Sequence, residues 1–343
     1  MDVRAGLPGT IGRTPLIELK SLTELCGVRI FGKAEFLSPG GSVKDRAALR
    51  IITDAESSGK LKPAGTLVEG TGGNTGVALA LIARSRGYKC IICMTRTISL
   101  EKRALLHTFG AQVVLTEPVP FTNPQHYYHV AASIASKTPG AFFCNQFENL
   151  SNYATHYEGT GPEMYVQSGR EIDGFICAAG TGGTLAGVSL YLKGQDPRIK
   201  CFLMDPPTSH LYHYVRTGEL RPLEGSDAGL EGIGIDRVTE NFKKAKLDGA
   251  LTGTAREAIE MAYYILKHEG LFLGTSACFN LVGACKLALL LKKSGAAPRA
   301  IATILCDSGD RYLSKIYSGE WLKENDLVPV ARGLDFIQVD GNL

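Results

Sequence analysis

The stretch Gly174-Phe175-Ile176-Cys177-Ala178-Ala179-Gly180-Thr181-Gly182-Gly183-Thr184-Leu185 decides the reading of this chain. Residues 174–179 form an apolar run of strand length, and a helical pattern follows over 185–192. A glycine loop between a strand and a helix lets backbone N–H groups approach an anion. The helix start adds unpaired N–H donors and the positive end of its dipole. With the hydroxyls of Thr181 and Thr184, the segment reads as a phosphate cradle. It lacks the Lys-Ser/Thr of a nucleotide P-loop, and Leu185 stands where G-x-G-x-x-G needs its third glycine. A plain structural turn would look similar, but flanking threonines favour the ligand. Asp205, at the end of the next strand, leaves a dinucleotide reading open, because it stands where a ribose ligand would be.

Working outward, the same strand–loop–helix unit recurs. Strands are expected over 29–35, 66–69, 89–94, 112–116, 142–144, 174–179, 200–205 and 300–306. Helices are expected over 43–57, 76–86, 100–109, 125–137, 153–168, 185–192, 255–269 and 281–292. Alternation of this kind predicts an α/β fold with largely parallel sheets, and sites at the carboxyl ends of the strands. The 343 residues suit about two domains. Composition shows no linker, and the polar stretch 149–152 is the most plausible crossing.

Composition removes several classes of function. Apolar residues are 44% and charged residues 21%, so the chain can fold around a core. No apolar run approaches the ~18 residues of a membrane span. The net charge of +3 is spread out, without the basic stripe that nucleic acid requires. The nine cysteines lie mostly in apolar runs and read as reduced, buried thiols. Cys90 and Cys93 imitate a metal motif, but three residues apart on a strand they face opposite sides. No second pair completes a zinc site, so no metal is expected. The first ten residues carry no leader pattern, which favours the cytoplasm.

Four more segments carry candidate chemistry. In Ser38-Pro39-Gly40-Gly41-Ser42-Val43-Lys44-Asp45-Arg46, a lysine stands at a helix start, where the dipole disfavours a cation and favours a nucleophilic amine. Lys44 is therefore a Schiff-base candidate, although taken alone the segment reads more simply as an exposed lysine paired with Asp45 or a neighbour. In Glu69-Gly70-Thr71-Gly72-Gly73-Asn74-Thr75-Gly76, hydroxyl, amide and backbone donors read either as a cradle suited to a carboxylate or, equally, as a plain glycine turn. Gly274-Thr275-Ser276 and Asp307-Ser308-Gly309-Asp310-Arg311-Tyr312 each resemble a capped turn when taken alone.

With these five segments in order, residues 12–319 resemble the cysteine synthase and cystathionine β-synthase family. These are fold-type II, tryptophan synthase β-like enzymes dependent on pyridoxal phosphate. Gly12-Arg13-Thr14-Pro15-Leu16, Gln146-Phe147-Glu148-Asn149 and His156-Tyr157-Glu158-Gly159-Thr160-Gly161-Pro162-Glu163 match further family segments. The resemblance implies two doubly wound α/β domains with the active site in the cleft between them. The larger, cofactor-binding domain would comprise 1–45 and 150–343, and the smaller, substrate-closing domain 46–149. A homodimer is implied as well.

The resemblance also implies roles. Lys44 would carry pyridoxal phosphate and later shuttle the Cα proton. Asn74 would bond the cofactor's ring oxygen, Gly180, Thr181, Gly182, Gly183 and Thr184 would hold its phosphate, and Ser276 would face its pyridine nitrogen. Thr71, Gly72, Gly73, Thr75 and Gln146 would bind the substrate carboxylate, with Gly232 at the mouth. The implied reaction is β-replacement on O-acetylserine, O-phosphoserine or cysteine by a second nucleophile. Elimination to pyruvate and ammonia is the alternative within the family, and a nicotinamide oxidoreductase the remote one. Gly72 stands where the family usually has serine, and Gly70 where it has proline. Ser276-Ala277-Cys278 replaces Ser-Ser-Gly. Asp236 and Arg237 follow the Gly232-Ile233-Gly234 core either as solvated loop charges or as contacts for a polar second substrate. Similar variants occur in a cysteine synthase-like branch with fungal members.

Overall fold

The computed structural model describes residues 3–226 and 228–337. Its strands are β1 (Leu16–Glu18), β2 (Arg29–Ala34), β3 (Thr66–Gly70), β4 (Lys89–Thr95), β5 (Gln112–Thr116), β6 (Ala141–Phe143), β7 (Gly174–Ala178), β8 (Lys200–Asp205), β9 (Gly249–Thr252) and β10 (Ala300–Leu305). Its helices are α1 (Lys20–Cys26), α2 (Lys44–Ser57), α3 (Asn74–Arg86), α4 (Leu100–Thr108), α5 (Tyr127–Lys137), α6 (Ser151–Thr155), α7 (Gly161–Gln167), α8 (Gly183–Gln195), α9 (Leu211–Thr217), α10 (Ala255–Glu269), α11 (Thr275–Lys293) and α12 (Gly319–Glu324).

The strands form two sheets. Six strands run in the order β1-β2-β10-β7-β8-β9, and four in the order β5-β4-β3-β6. Every pairing is parallel except β1 with β2. Central strands such as β7 and β10 are buried along their whole length, which is why they read as continuous apolar runs. On one face of the larger sheet, Ile176, Met204 and Ile301 pack with residues of α1, α10 and α11. On the other, Phe175, Leu203 and Ile304 pack with residues of α7, α8 and α9. The smaller sheet has α2, α3 and α4 against Leu67 and Ile92, and α5 against Val68. The architecture is thus the doubly wound one expected. All nine cysteines are buried and free. Cys90 and Cys93 enter different cores on opposite faces of the smaller sheet, as strand alternation requires.

Several boundaries differ from expectation. The helix expected over 153–168 is interrupted by a π-helical turn, His156–Thr160, between α6 and α7. Pro162 has no N–H to continue the α ladder, yet it fits the first turn of α7. The helix expected over 281–292 begins at Thr275 instead. Its first turns are buried on all sides, so no amphipathic period marks them. By length and composition α11 could cross a membrane, but 89% of its apolar window is buried inside the protein. Helices α3 and α8 likewise begin within their glycine loops, at Asn74 and Gly183.

Candidate active site

Four helices start at one place. Lys44, Asn74, Gly183 and Thr275 are the first residues of α2, α3, α8 and α11. Lys44, Asn74, Thr184 and Ser276, from those first turns, line a single cavity of about 200 Å³. The cavity lies beyond the carboxyl ends of β3, β7 and β10, which is where α/β sheets place ligands. Each helix start brings the positive end of a dipole, although in α2 the Lys44 and Asp45 N–H groups are taken by Ser42, so their convergence makes a positive hollow from main chain.

The loop after β7 fits a phosphate. Gly180 permits the close approach of the neighbouring loop, since a Cβ there would lie 2.4 Å from the Gly232 carbonyl. Gly182 has φ +82, and a Cβ there would lie 2.7 Å from the Phe242 backbone. Thr181 Oγ1 accepts from Asn152 Nδ2 at 2.9 Å, which leaves its own proton for a ligand. Thr184 Oγ1 lies 3.2 Å from His156 Nε2. Burial holds His156 well below the usual histidine range, so it is a neutral ring that orients the hydroxyl. Gly183 does not line the cavity. Its role is room, because a Cβ there would lie 2.2 Å from Asn152 Oδ1.

Lys44 is held by its neighbours' contacts. Asp45 accepts from the Gly40 N–H at 2.5 Å, closing the Ser38–Gly41 turn onto α2. Burial pushes the Asp45 carboxyl up to about 7, against the pull of that N–H. Arg46 makes a two-pronged contact with the fully buried Glu35, at 2.8 Å on each arm. It also reaches Glu163 at 2.8 Å, and Lys33 joins Glu163 at 2.7 Å. Asp45 and Arg46 therefore fix the first turn of α2, and Lys44 forms no ion pair with Asp45.

The Asn74 amide is oriented from both sides. Its Nδ2 donates to Asp307 Oδ2 and its Oδ1 accepts from Arg311 Nη1, each at 2.7 Å. One Nδ2 proton remains for the cavity. The segment after β10, read from sequence as a capped turn, is thus the clamp on Asn74. Arg311 also donates to the Gly40 carbonyl, tying the clamp to the lysine turn.

The loop after β3 is a second cradle. Thr71 Oγ1 accepts from the Gly73 N–H at 3.1 Å, and Thr75 Oγ1 donates to Gln146 Oε1 at 2.5 Å. Glu69, fully buried beneath the loop, accepts from the Gln146 N–H at 3.1 Å. Burial pushes its carboxyl up to about 8, even though that N–H opposes the shift. Thr71, Gly72, Gly73, Thr75, Gln146 and Gly232 all line the cavity.

Other residues were not found from sequence. Lys102, from α4, lines the cavity and pairs with Glu231 at 2.5 Å; Glu231 also takes Lys315 at 2.5 Å. Tyr127 and Phe147 close one side, and the thiols of Cys177 and Cys306 line the same cavity. Burial pushes Cys306 up to about 12, so it is a neutral wall. Tyr127 opens a helix, and Lys102 sits in an ordinary helical pattern, so neither carries a local signal. Arg237 is not a freely solvated loop charge, because it pairs with Glu148. Asp205 is fully buried and accepts from the Tyr212 N–H at 2.7 Å. It does not line the cavity, which removes the ribose-ligand reading. Among the described residues, no group of three His, Cys, Asp or Glu could hold a metal ion.

The residues present fit pyridoxal phosphate. A glycine cradle at a helix start meets a lysine amine, an oriented amide and a neutral hydroxyl across one cavity. Comparison with known proteins agrees. The family model described as "Pyridoxal-phosphate dependent enzyme" matches residues 7–307. A cysteine synthase of Dictyostelium discoideum is 45% identical, over 97% of this chain and 89% of its own. Cysteine synthase 1 of Neurospora crassa is 46% identical, over 95% and 86%. Cystathionine beta-synthase of Apis mellifera is 35% identical, over 91% and 61%.

Proposed function

This chain belongs to the family of pyridoxal-phosphate dependent enzymes, and on that premise we propose that it catalyses β-replacement on an activated serine, forming cysteine or a related β-substituted alanine. O-acetylserine and O-phosphoserine are the donors that suit the reaction. The observation that carries the reading is the meeting of four helix starts around Lys44.

The roles follow from the contacts. Gly180, Thr181, Gly182 and Thr184 hold the cofactor's phosphate with main-chain N–H and hydroxyl groups, and Gly183 gives α8 room to start there. Asn74 offers its free amide proton to the ring oxygen. Ser276, which lines the cavity, would present a neutral hydroxyl to the ring nitrogen. Bound in this way, the cofactor supplies an electron sink for the pair left when a Cα–H bond breaks. The donor's carboxylate rests on Thr71, Gly72, Gly73, Thr75 and Gln146, with Gly232 at the mouth. With the donor held there, the Lys44 amine, which lines the same cavity, would take the Cα proton and later return it. Lys102 and Glu231 close the rim as a paired charge and help keep water out.

Turnover of O-acetylserine with sulfide tests the proposal, with cysteine and pyruvate both measured. Cysteine should dominate, and Lys44→Ala should lose both turnover and the absorbance near the visible–ultraviolet border. Pyruvate in excess at saturating sulfide would replace the proposal with elimination, which the relatives named as synthases do not favour. We also place residues 46–149 as a smaller domain that closes on 1–45 and 150–343. Nine free, buried thiols support a reducing, cytoplasmic setting, and the homodimer rests on the family resemblance alone.

A further inference from the structure

A second cavity of about 270 Å³ adjoins the cleft and shares Tyr127, Phe147, Gly234 and Ile235 with it. Sulfide does not need this space, since a water-sized molecule occupies on the order of 10–15 Å³ of such a cavity. The added wall is largely aromatic, with Phe121, His126 and Tyr128, and it also holds one carboxylate, Asp236, beside Arg237. It carries one strong cation. The Arg237 guanidinium lies 4.3 Å over Phe121, 5.1 Å over Phe147 and 5.4 Å over Tyr128. Glu148 takes its Nη1, while Nε and Nη2 have no hydrogen-bond partner among the described residues. His126 Nδ1 accepts from the Tyr128 N–H at 3.3 Å, so its proton sits on Nε2 as a further donor. The cavity thus combines ring faces with unpaired donors, next to the place where the donor substrate reacts.

We propose that this antechamber binds the second substrate, and that this substrate is a planar aromatic thiol carrying a carboxylate. The ring packs on Phe121 and Phe147, the carboxylate takes the free edge of Arg237, and the sulfur reaches past Tyr127 into the cleft. The inference rests on the β-replacement reading. The thiol gives its proton to solvent, and the sulfur's electron pair forms the new S–Cβ bond. The Cβ–O bond of O-acetylserine breaks, with its pair leaving on acetate. The products are an S-aryl cysteine and acetate, and no oxidant or reductant is needed.

The test uses the cofactor-loaded enzyme with O-acetylserine and three nucleophiles: sulfide, 4-mercaptobenzoate and 3-mercaptopropionate. Binding of benzoate, which has no nucleophilic sulfur, is measured separately by calorimetry. Expected is a kcat/KM for 4-mercaptobenzoate at least roughly tenfold above that for 3-mercaptopropionate, with saturable benzoate binding. Arg237→Gln should lower kcat/KM for 4-mercaptobenzoate relative to sulfide by roughly tenfold or more, as loss of a charge-assisted bond predicts. It should weaken benzoate binding in step. Phe121→Leu should shrink the preference for the aromatic thiol over the aliphatic one. Turnover with sulfide, without aromatic preference or benzoate binding, overturns the antechamber assignment and leaves β-replacement standing. Turnover with no nucleophile overturns β-replacement and the second-substrate assignment with it, whatever benzoate does.

Discussion

Gly72 and Gly73 are neighbours in one loop, and the structure predicts opposite responses to substitution. At Gly72 an added Cβ meets nothing within 4 Å, and the backbone is not left-handed. Serine therefore fits without strain, and its hydroxyl enters the cavity that Gly72 lines. A hydroxyl donating to the donor's carboxylate contributes about 1.5–3 kcal/mol, or roughly ten- to a hundredfold in affinity. Gly72→Ser should lower the KM for O-acetylserine by that factor while stability stays within about 0.5 kcal/mol. At Gly73 φ is +144, and a Cβ would lie 2.9 Å from Lys102 Cδ. Gly73→Ala should cost about 1–3 kcal/mol of backbone strain. It should also displace Lys102 from Glu231, giving a thermal midpoint several degrees lower and a higher KM. Steady-state kinetics and thermal unfolding on both variants decide the matter. A destabilised Gly72→Ser with raised KM, or a silent Gly73→Ala, would refute the account of this loop.

Three other outcomes follow from the buried groups. Glu69, raised to about 8 in the fold from an ordinary value of 4.5, favours the folded state most at low pH, and that contribution is lost as pH rises from about 4.5 to 8. Glu69→Gln should flatten this decline by on the order of a few kcal/mol; unfolding at pH 6 and pH 9 checks it, and Asp45, raised to about 7, leaves a residual slope of the same sign. Arg46→Met strands the fully buried Glu35 and should cost about 3–5 kcal/mol in chemical denaturation, with Glu35→Gln in the same chain recovering part of it. Arg311→Leu frees the Asn74 amide and should weaken retention of pyridoxal phosphate by roughly ten- to a hundredfold, read by absorbance after dialysis.

The parts legible from sequence were those with local signals. β2, β7, β8 and β10 are long, buried strands and announce themselves as apolar runs. β1 and β9 are three- and four-residue edge strands, too short to show a period. α9 is a seven-residue helix rich in Tyr and His before a glycine-rich stretch, too short to show a helical period. The glycine cradles were legible because their need for bare backbone is written in the residue type. Lys102 was not, since its place in the site depends on how the smaller sheet packs against the loop at Glu231. Asp307 and Arg311 have the local pattern of a capped turn, and their hold on Asn74, more than 230 positions away, has no local trace.

The convergence of four helix starts has a consequence for how this site can be disturbed. A field produced by main-chain dipoles has no titratable proton, no acetylation site and no oxidisable atom. Its attraction for a phosphate should persist across pH and through most chemical modification of side chains. Replacing side chains by alanine would also leave it intact, so a scan of that kind would find the lysine and the amide and pass over this main-chain source of positive potential. Only a change that unwinds or redirects a helix start, such as a bulky residue at Gly182, reaches it.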